Sequence, residues 1–376
     1  MNMKNKGTIF VYKKGNLIGS SGGVEKVLSF FCNTLAQRGW RVYLATRDRH
    51  QGQLFFPLEK SVHFEHFKMN FPRWRRVIGQ LTFNLIPCFN RELYVAKMIR
   101  TYCDQIKPDV IITAGIQDLT DIVYYNPYPC AKIVQLHSAI PTFFTRKKTK
   151  LFIKTLKQAD LVQVLFPSYE SQLRKYYGGK IVSIGNAVHP NSFKGKRQKT
   201  IIYPARVEPN KGQVLLIEAF SKIATQYPDW QVHFYGGISR KEYAQLCEQK
   251  IKDLHLENQV FFKGVSKEMS KLLASASICA FPSQYEGFSL ALTEAMAAGL
   301  PCVGFDYATC VNELIQQGKN GYLVHNPDAM AKALSRLMDD EKLRLRLGKN
   351  AIQTAQKYTP ESIIDQWERV ILNSKK

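Results

Sequence analysis

Several features are scarce in this 376-residue chain, and each scarcity removes a class of protein. No uncharged run exceeds 14 residues, the longest being Val77 to Asn90 and Leu272 to Tyr285. A helix crossing a bilayer needs roughly 18 or more consecutive apolar residues, so no membrane span is expected. The eight cysteines are scattered, with no Cys-x-x-Cys pair and several inside apolar runs. They read as reduced core thiols rather than disulfides or zinc ligands. There is no Asp-x-Asp motif and no His/Cys cluster at metal-ligand spacing, so no metal and no cofactor are expected. The N-terminus carries Lys4 and Lys6 and then only the short apolar stretch Thr8 to Tyr12, which reads as a first strand rather than a secretory signal. A cytoplasmic protein is the expectation.

Acidic residues are also scarce, but only in one half. Residues 1–190 hold 28 Lys and Arg against 11 Asp and Glu, residues 191–199 add four basic groups, and residues 200–376 are nearly balanced at 21 against 19. A one-sided basic half suits anionic lipid, nucleic acid or a phosphorylated substrate, with plain solubility as the bland alternative. Two stretches concentrate the charge. Arg73, Trp74, Arg75 and Arg76 precede Val77, Ile78, Leu81, Phe83, Leu85 and Ile86. Arg146, Lys147 and Lys148, with Lys150, Lys154 and Lys157, surround Leu151, Phe152 and Ile153. Cations beside Trp, Phe and Leu are the composition of a helix lying in a membrane interface. Zinc-finger, helix-turn-helix and RRM signatures are missing, so an anionic membrane surface is preferred over nucleic acid, and a solvated face is the other alternative.

With 45% hydrophobic residues, the chain can fill two cores of roughly 150 to 200 residues each. Strand-like runs at Thr8 to Tyr12, Arg41 to Ala45, Val110 to Thr113, Lys132 to Leu136 and Leu161 to Leu165 alternate with helical patterns. A second series follows at Thr200 to Tyr203, Gln231 to Tyr235, Gln259 to Phe262, Ser277 to Phe281 and Pro301 to Phe305. Helices are expected at Val24 to Arg38, Gln213 to Tyr227, Lys241 to Leu254 and Leu290 to Ala298. This alternation predicts an α/β protein with two parallel sheets, each covered on both faces. Asn191 to Lys199, polar and without apolar period, reads as the linker.

Ligands of open α/β sheets bind beyond the carboxyl ends of the strands. Four loops there stand out. Gly15 to Gly23, before the first helix, suits either an anion at backbone amides or an ordinary flexible loop. In Pro204 to Gly212, Arg206 and Lys211 lie where two cations can grip a diphosphate, although exposed loop cations are often merely solvated. In Phe281 to Gly299, Ser289 can cap a helix that Gly299 ends, placing Glu286 in the loop and Glu294 about one turn inside an otherwise apolar helix. A carboxylate there needs a partner, either paired ribose hydroxyls or a structural donor. His137, at a strand end, is a ligand contact or a satisfied structural histidine.

Taken together, PARVEPNKG, VFFKGV at Val260 to Val265, FPSQYEGFSLALTEAMAAGLP and GKNGYLV at Gly318 to Val324 resemble the GT-B nucleotide-sugar glycosyltransferases of family 4. SGGVE in the first loop and Tyr358-Thr359-Pro360-Glu361 before a last helix agree with this, so the resemblance spans nearly the whole chain. It implies two Rossmann-like domains facing a central cleft. Residues 1–190 would bind the acceptor, 191–357 the nucleotide sugar, and 358–376 would form a helix crossing back to the first domain. Arg206 and Lys211 match the donor-diphosphate cations, and Gly22 and Gly23 match the loop approaching the distal phosphate. Glu294 matches the ribose ligand, and Glu286 and His137 match the residues beside the transferred sugar. Backbone contacts to sugar or phosphate are implied at Gly287, Phe288 and Ser289, and a base-side pocket at Gly264 and Val265. The chain departs from the commoner pattern at Ala205, where Gly is frequent, and at Gly185 to Val188, where Asn-Gly-Val is frequent.

The implied activity is retaining transfer of a hexose or N-acetylhexosamine, from a UDP-sugar in preference to GDP-mannose, to a glycan or lipid-linked acceptor in cell-surface polysaccharide synthesis. Cations and helix-end dipoles would stabilise the departing diphosphate. The expected location is the inner face of the cytoplasmic membrane, with Arg73, Trp74, Arg75, Arg76, Lys147 and Lys148 facing the lipid. The rival readings are a GT-B sugar-nucleotide epimerase and a non-catalytic basic module that binds membrane or nucleic acid.

Overall fold

The computed structural model describes residues 6–20, 22–48, 52–82, 86–145, 149–191 and 195–375. The chain divides into two compact units, Met1–Gly185 with Ile364–Lys376, and Asn186–Ile363. Among the described residues the first unit carries seven strands: β1 (Thr8–Lys13), β2 (Arg41–Thr46), β3 (Val62–His66), β4 (Val110–Thr113), β5 (Ala131–Gln135), β6 (Leu161–Val164) and β7 (Lys180–Ser183). They form one sheet in the order β3-β2-β1-β4-β5-β6-β7, with every pairing parallel. The second unit carries β8 (Thr200–Pro204), β9 (Gln231–Tyr235), β10 (Val260–Phe262), β11 (Ile278–Phe281), β12 (Cys302–Phe305) and β13 (Gly321–Val324). Its sheet is also wholly parallel, in the order β10-β9-β8-β11-β12-β13.

The central strands are continuous apolar runs because helices cover both faces of a parallel sheet. Ile9 to Tyr12, Val110 to Ile112, Ile201 to Tyr203 and Ile278 to Phe281 are all at most 1% exposed. Three strands escape a reading based on such runs, and all three lie at sheet edges. In β3 three of the five residues are exposed, and in β7 none is buried, so neither needs an unbroken apolar sequence. The third, β13, opens with Gly321, where a Cβ would come within 2.0 Å of the Cys302 carbonyl oxygen, so pairing with β12 requires glycine.

The helices Gly23–Gln37, Lys241–Asp253 and Leu290–Ala297 match their periodicity closely. Gln213 to Tyr227 does not form one helix. The α-helix ends at Ser221 and a separate 3-10 turn covers Ala224–Gln226; Tyr227, which precedes a proline and cannot hold helical geometry well, lies outside both. The basic stretch expected as a free linker is anchored where it is described. Arg197 donates to the carbonyls of Ala276 (2.8 Å) and Ala298 (2.7 Å), capping the ends of two helices, and the Gln198 N–H donates to Ser275 O. Residues 192–194 of that stretch lie outside the described residues. Seven cysteines are buried, as expected, whereas Cys88 is exposed.

The helix Pro360–Ser374 runs into the first unit, which takes the chain from Ile364 onward. Ile364, Trp367 and Ile371 are buried, and the Trp367 ring meets Phe31 edge-on at 5.0 Å. Glu368 accepts from Lys6 Nζ (2.7 Å), Trp40 Nε1 (2.8 Å) and Arg38 Nη1 (2.9 Å). Burial alone would raise its carboxyl, but these three donors hold it below the ordinary range. Trp367→Ala should therefore cost the first unit about 3–5 kcal/mol, read as a lower urea midpoint, the magnitude typical of emptying a buried aromatic site.

Candidate functional site

In the second sheet the strand order reverses between β8 and β11, so the loops leaving these two strands flank the crevice where such sheets bind ligands. The first loop carries Arg206 and Lys211, and the second carries Ser283 and Glu286. Gly212 has φ +67°, and a Cβ there would come 2.3 Å from Pro282 O, so glycine lets the loops touch. The Gln284 N–H then donates to Asn210 O at 2.9 Å.

The two expected diphosphate cations differ in state. Arg206 is 67% exposed and lies 3.2 Å from Glu208 Oε1. Lys211 is 13% exposed, and its Nζ is 2.6 Å from Glu286 Oε1. Ser283 Oγ donates to the same oxygen at 2.7 Å, and the buried Tyr203 hydroxyl lies 2.8 Å from both Ser283 Oγ and Lys211 O. Tyr203 and Ser283 were not singled out in the sequence, where they are a strand residue and a loop residue. The legible signal was the spacing of Ser283, three residues before Glu286.

Ser289 caps the helix Leu290–Ala297 by accepting from the Leu292 N–H at 3.3 Å, and Gly299, at φ +73°, follows its end. Glu294 sits half-buried one turn in. The Ser289 N–H itself donates to Cys310 Sγ at 3.1 Å, so this amide, expected to face sugar or phosphate, is already engaged. Cys310 holds φ +72°, a left-handed conformation that is strained for a residue with a side chain. Gly287 is half-buried, and Phe288 packs edge-on against Tyr358 at 5.2 Å. Gly264 and Val265, expected at the base side, are exposed just after β10, and Ile238 after β9 is exposed as well.

The first sheet reverses between β1 and β4. The loop after β1 does bind an anion at its amides, but the anion is the protein's own. Asp48 accepts from the N–H groups of Asn16 (2.7 Å), Leu17 (2.6 Å) and Ile18 (2.8 Å). Burial raises the Asp48 carboxyl, yet these bonds outweigh it and hold the group below its ordinary range. Gly22 is the N-cap of the helix Gly23–Gln37, and a Cβ there would come 2.2 Å from Glu25 Oε2. The Glu25 carboxylate, 3.6 Å from Lys13 Nζ, thus lies against the helix start that was expected to meet phosphate.

Across the switch point, Asp121 accepts from Tyr12 OH (2.8 Å), Lys14 Nζ (3.0 Å) and Arg47 Nε (2.9 Å). Asp118 accepts from the Lys14 N–H at 3.0 Å, and burial pushes it up to about 6 although Lys13 and Lys14 oppose the shift. This polar cluster was missed because its members come from three separate segments. His137, following β5, shares Nε2 with Gln135 Oε1 at 3.3 Å and leaves Nδ1 buried and unpaired. Burial first, then the Lys13 charge, lowers it to about 4, so it is neutral at pH 7.

The family model for group 1 glycosyl transferases matches residues 186–354, and that for glycosyltransferase family 4 matches residues 21–192. The chain belongs to these glycosyltransferases. It is 34% identical over 309 residues to a Streptomyces coelicolor protein named exopolysaccharide phosphotransferase, covering 80% of this chain and 31% of that one. It is 33% identical over 230 residues to a Staphylococcus aureus poly(ribitol-phosphate) alpha-N-acetylglucosaminyltransferase, covering 59% and 46%. The chain thus spans under half the length of either relative. A crystal structure of an S. aureus TarM mutant with fondaparinux, alpha-GlcNAc-glycerol and UDP superimposes with a TM-score of 0.78 at 18% identity, covering 98% of this chain and 100% of that one. The two parallel-sheet α/β units are those of the GT-B fold.

In this glycosyltransferase the helix Arg73–Leu81 is amphipathic. Trp74, Val77, Ile78 and Leu81 fall on one face, and Arg73, Arg75 and Arg76 lie off it. Trp74 (55% exposed), Val77 (50%) and Leu81 (75%) are uncovered. Lys147 and Lys148, with Arg146, Phe83 and Leu85, lie outside the described residues. Among the described residues no helix is long and apolar enough to cross a membrane, and no three His, Cys, Asp or Glu side chains converge as metal ligands.

Asp118 supplies a pH prediction. Its folded-state pKa lies above the unfolded value, so its neutral form is favoured by folding, and the associated stability is lost as pH rises through about 6. Asn keeps the acceptor without the charge. Asp118→Asn should stabilise the protein relative to wild type, with an advantage that grows by roughly 1–2 kcal/mol between pH 5 and pH 8. A melting difference independent of pH would contradict this.

Proposed function

We propose that this chain transfers a hexose or N-acetylhexosamine from a UDP-sugar, with retention of configuration, to a glycan or lipid-linked acceptor in the synthesis of a cell-surface polysaccharide or teichoic-acid-type polymer. The observation that carries this reading is the placement of Arg206 and Lys211 on the loop leaving β8, opposite the Glu286 loop leaving β11, at the point where the strand order reverses. The names of the relatives support the polymer class, and the UDP held by the TarM structure supports the donor.

Charge determines the chemistry. As the bond from the anomeric carbon to the β-phosphate oxygen breaks, negative charge gathers on the leaving diphosphate. The Arg206 guanidinium and Lys211 ammonium stabilise it, so charge neutralisation is assigned to these side chains rather than to a divalent ion. Glu294 takes the ribose hydroxyls, and the neutral His137 is assigned to the transferred sugar. The acceptor hydroxyl attacks from the face that the phosphate leaves, and its proton passes to the departing phosphate oxygen. Glu286 Oε1 already receives Lys211 and Ser283, which suits a positioning carboxylate better than a nucleophile. With UDP-N-acetylglucosamine and UDP-glucose as donors, Arg206→Ala and Lys211→Ala should each lower kcat/KM about 100-fold or more. NMR of the product should show the donor's anomeric configuration. A donor panel that gives neither a melting shift nor acceptor-dependent UDP release would defeat the reading.

We also propose that the uncovered face of Arg73–Leu81 rests on anionic lipid at the inner face of the cytoplasmic membrane, its apolar side chains in the acyl boundary and its arginines at the headgroups. Replacing Arg73, Arg75 and Arg76 together by Ser should reduce sedimentation with phosphatidylglycerol vesicles while UDP-sugar hydrolysis persists. Unchanged sedimentation would reject the membrane assignment.

A further inference from the structure

The Lys211–Glu286 pair poses a problem for donor binding. The ammonium assigned to the diphosphate is already 2.6 Å from a carboxylate, and both side chains are almost enclosed, at 13% and 12% exposure. Drawing the ammonium toward a ligand would cost Glu286 a charged donor in a poorly hydrated place, where such a loss is expensive. Beneath this pair lies a second source of hydrogen bonding. Ser283 and Tyr203 are both fully buried, and neither is required by the chemistry above.

Counting protons exposes what they can do. Ser283 and Tyr203 have one hydroxyl proton each, but three short contacts link them to their neighbours: Tyr203 to Lys211 O (2.8 Å), Tyr203 to Ser283 (2.8 Å) and Ser283 to Glu286 Oε1 (2.7 Å). Two protons cannot fill three contacts at once. Besides the arrangement in which each hydroxyl donates outward, to Lys211 O and to Glu286, and no proton lies between the two, two aligned chains are possible. In one, Tyr203 donates to Ser283 and Ser283 donates to Glu286. In the other, Ser283 donates to Tyr203 and Tyr203 donates to Lys211 O. The second withdraws the Ser283 proton from the carboxylate while the ammonium stands beside it, and the first supplies a polarised donor when the ammonium leaves. Burial, then the Glu286 charge, holds the Tyr203 phenol well above its ordinary range, so it keeps its proton in either state.

We propose that Tyr203 and Ser283 form a reversible hydroxyl relay that donates to Glu286 when the Lys211 ammonium turns to the donor diphosphate, making both of them positioning residues for donor binding. The proposal rests on the reading of Lys211 as a donor-diphosphate cation. The relay lies on β8 and on the loop after β11, the two strands at the switch point, so it spans the crevice floor and ties the cation's backbone and side chain into one ring of contacts.

The test is a set of thermodynamic cycles on the full chain, reading UDP affinity by calorimetry and, with UDP-N-acetylglucosamine, donor KM and kcat separately. Tyr203→Phe removes one oxygen and keeps the edge contacts of the ring with Phe281 (5.1 Å) and Phe234 (6.3 Å). Tyr203→Phe and Ser283→Ala should each raise UDP Kd and donor KM about fivefold, with kcat within twofold of wild type. The double variant should be no worse than the weaker-binding single, because a relay is lost whole. Tyr203→Phe should add nothing in the Lys211→Ala background. A purely structural role would instead lower the melting temperature and the active fraction, leave KM unchanged and give additive effects, and that result overturns the relay. If Lys211→Ala weakens UDP binding and Tyr203→Phe does not, the relay alone falls. If Lys211→Ala leaves UDP binding unchanged, the donor reading falls and takes the relay with it. Should Tyr203→Phe not fold, Ser283→Ala decides by the same readout, and failure of both to fold makes the pair structural and overturns the proposal.

Discussion

A sheet whose strands all run one way, covered by helices on both faces, leaves polar chemistry few places to go. The strands at its centre must be apolar throughout, and the charged groups collect in the loops beyond the carboxyl ends. Both units obey this constraint. In each, the charged groups gather where the strand order turns back, β1 against β4 in the first sheet and β8 against β11 in the second. The apolar strands and the ionic loops are thus two aspects of one arrangement.

The two crevices handle charge differently. In the second unit, an almost enclosed ammonium meets an almost enclosed carboxylate, and an exposed guanidinium stands on the same loop as the ammonium. In the first unit the amides of the β1 loop are filled by Asp48, Arg47 and Lys14 are spent on Asp121, and Glu25 occupies the helix start. The N-terminal half carries a basic excess beyond these pairs. Part of it lies beside the uncovered apolar face of Arg73–Leu81. The asymmetry read from composition has a local counterpart there.

Much of the architecture was legible because it depends on short-range pattern. The central strands announce themselves as β-branched and aromatic runs, and Ser289 and Gly299 bound their helix by cap chemistry that any sequence displays. Arg206, Lys211 and Glu286 were legible because loops after strands are where such a sheet works. The edge strands β3 and β7 were not, since half-exposed strands need no continuous apolar run. Nor was the anchoring of Arg197, whose carbonyl partners lie 79 and 101 residues away.

The sequence by itself determined the fold class and the identity of the charged residues at the strand ends, because apolar periodicity and cap chemistry act over a few residues. Only the tertiary structure decided how those charges are spent. Lys211 is paired with Glu286 and underlain by Tyr203 and Ser283, Asp48 occupies an amide loop that reads as a ligand site, and Ser289 gives its amide to Cys310. Hydrogen bonds and ion pairs form between whatever groups folding brings within about 3 Å, and that proximity depends on how distant segments pack rather than on what stands beside each residue in the chain.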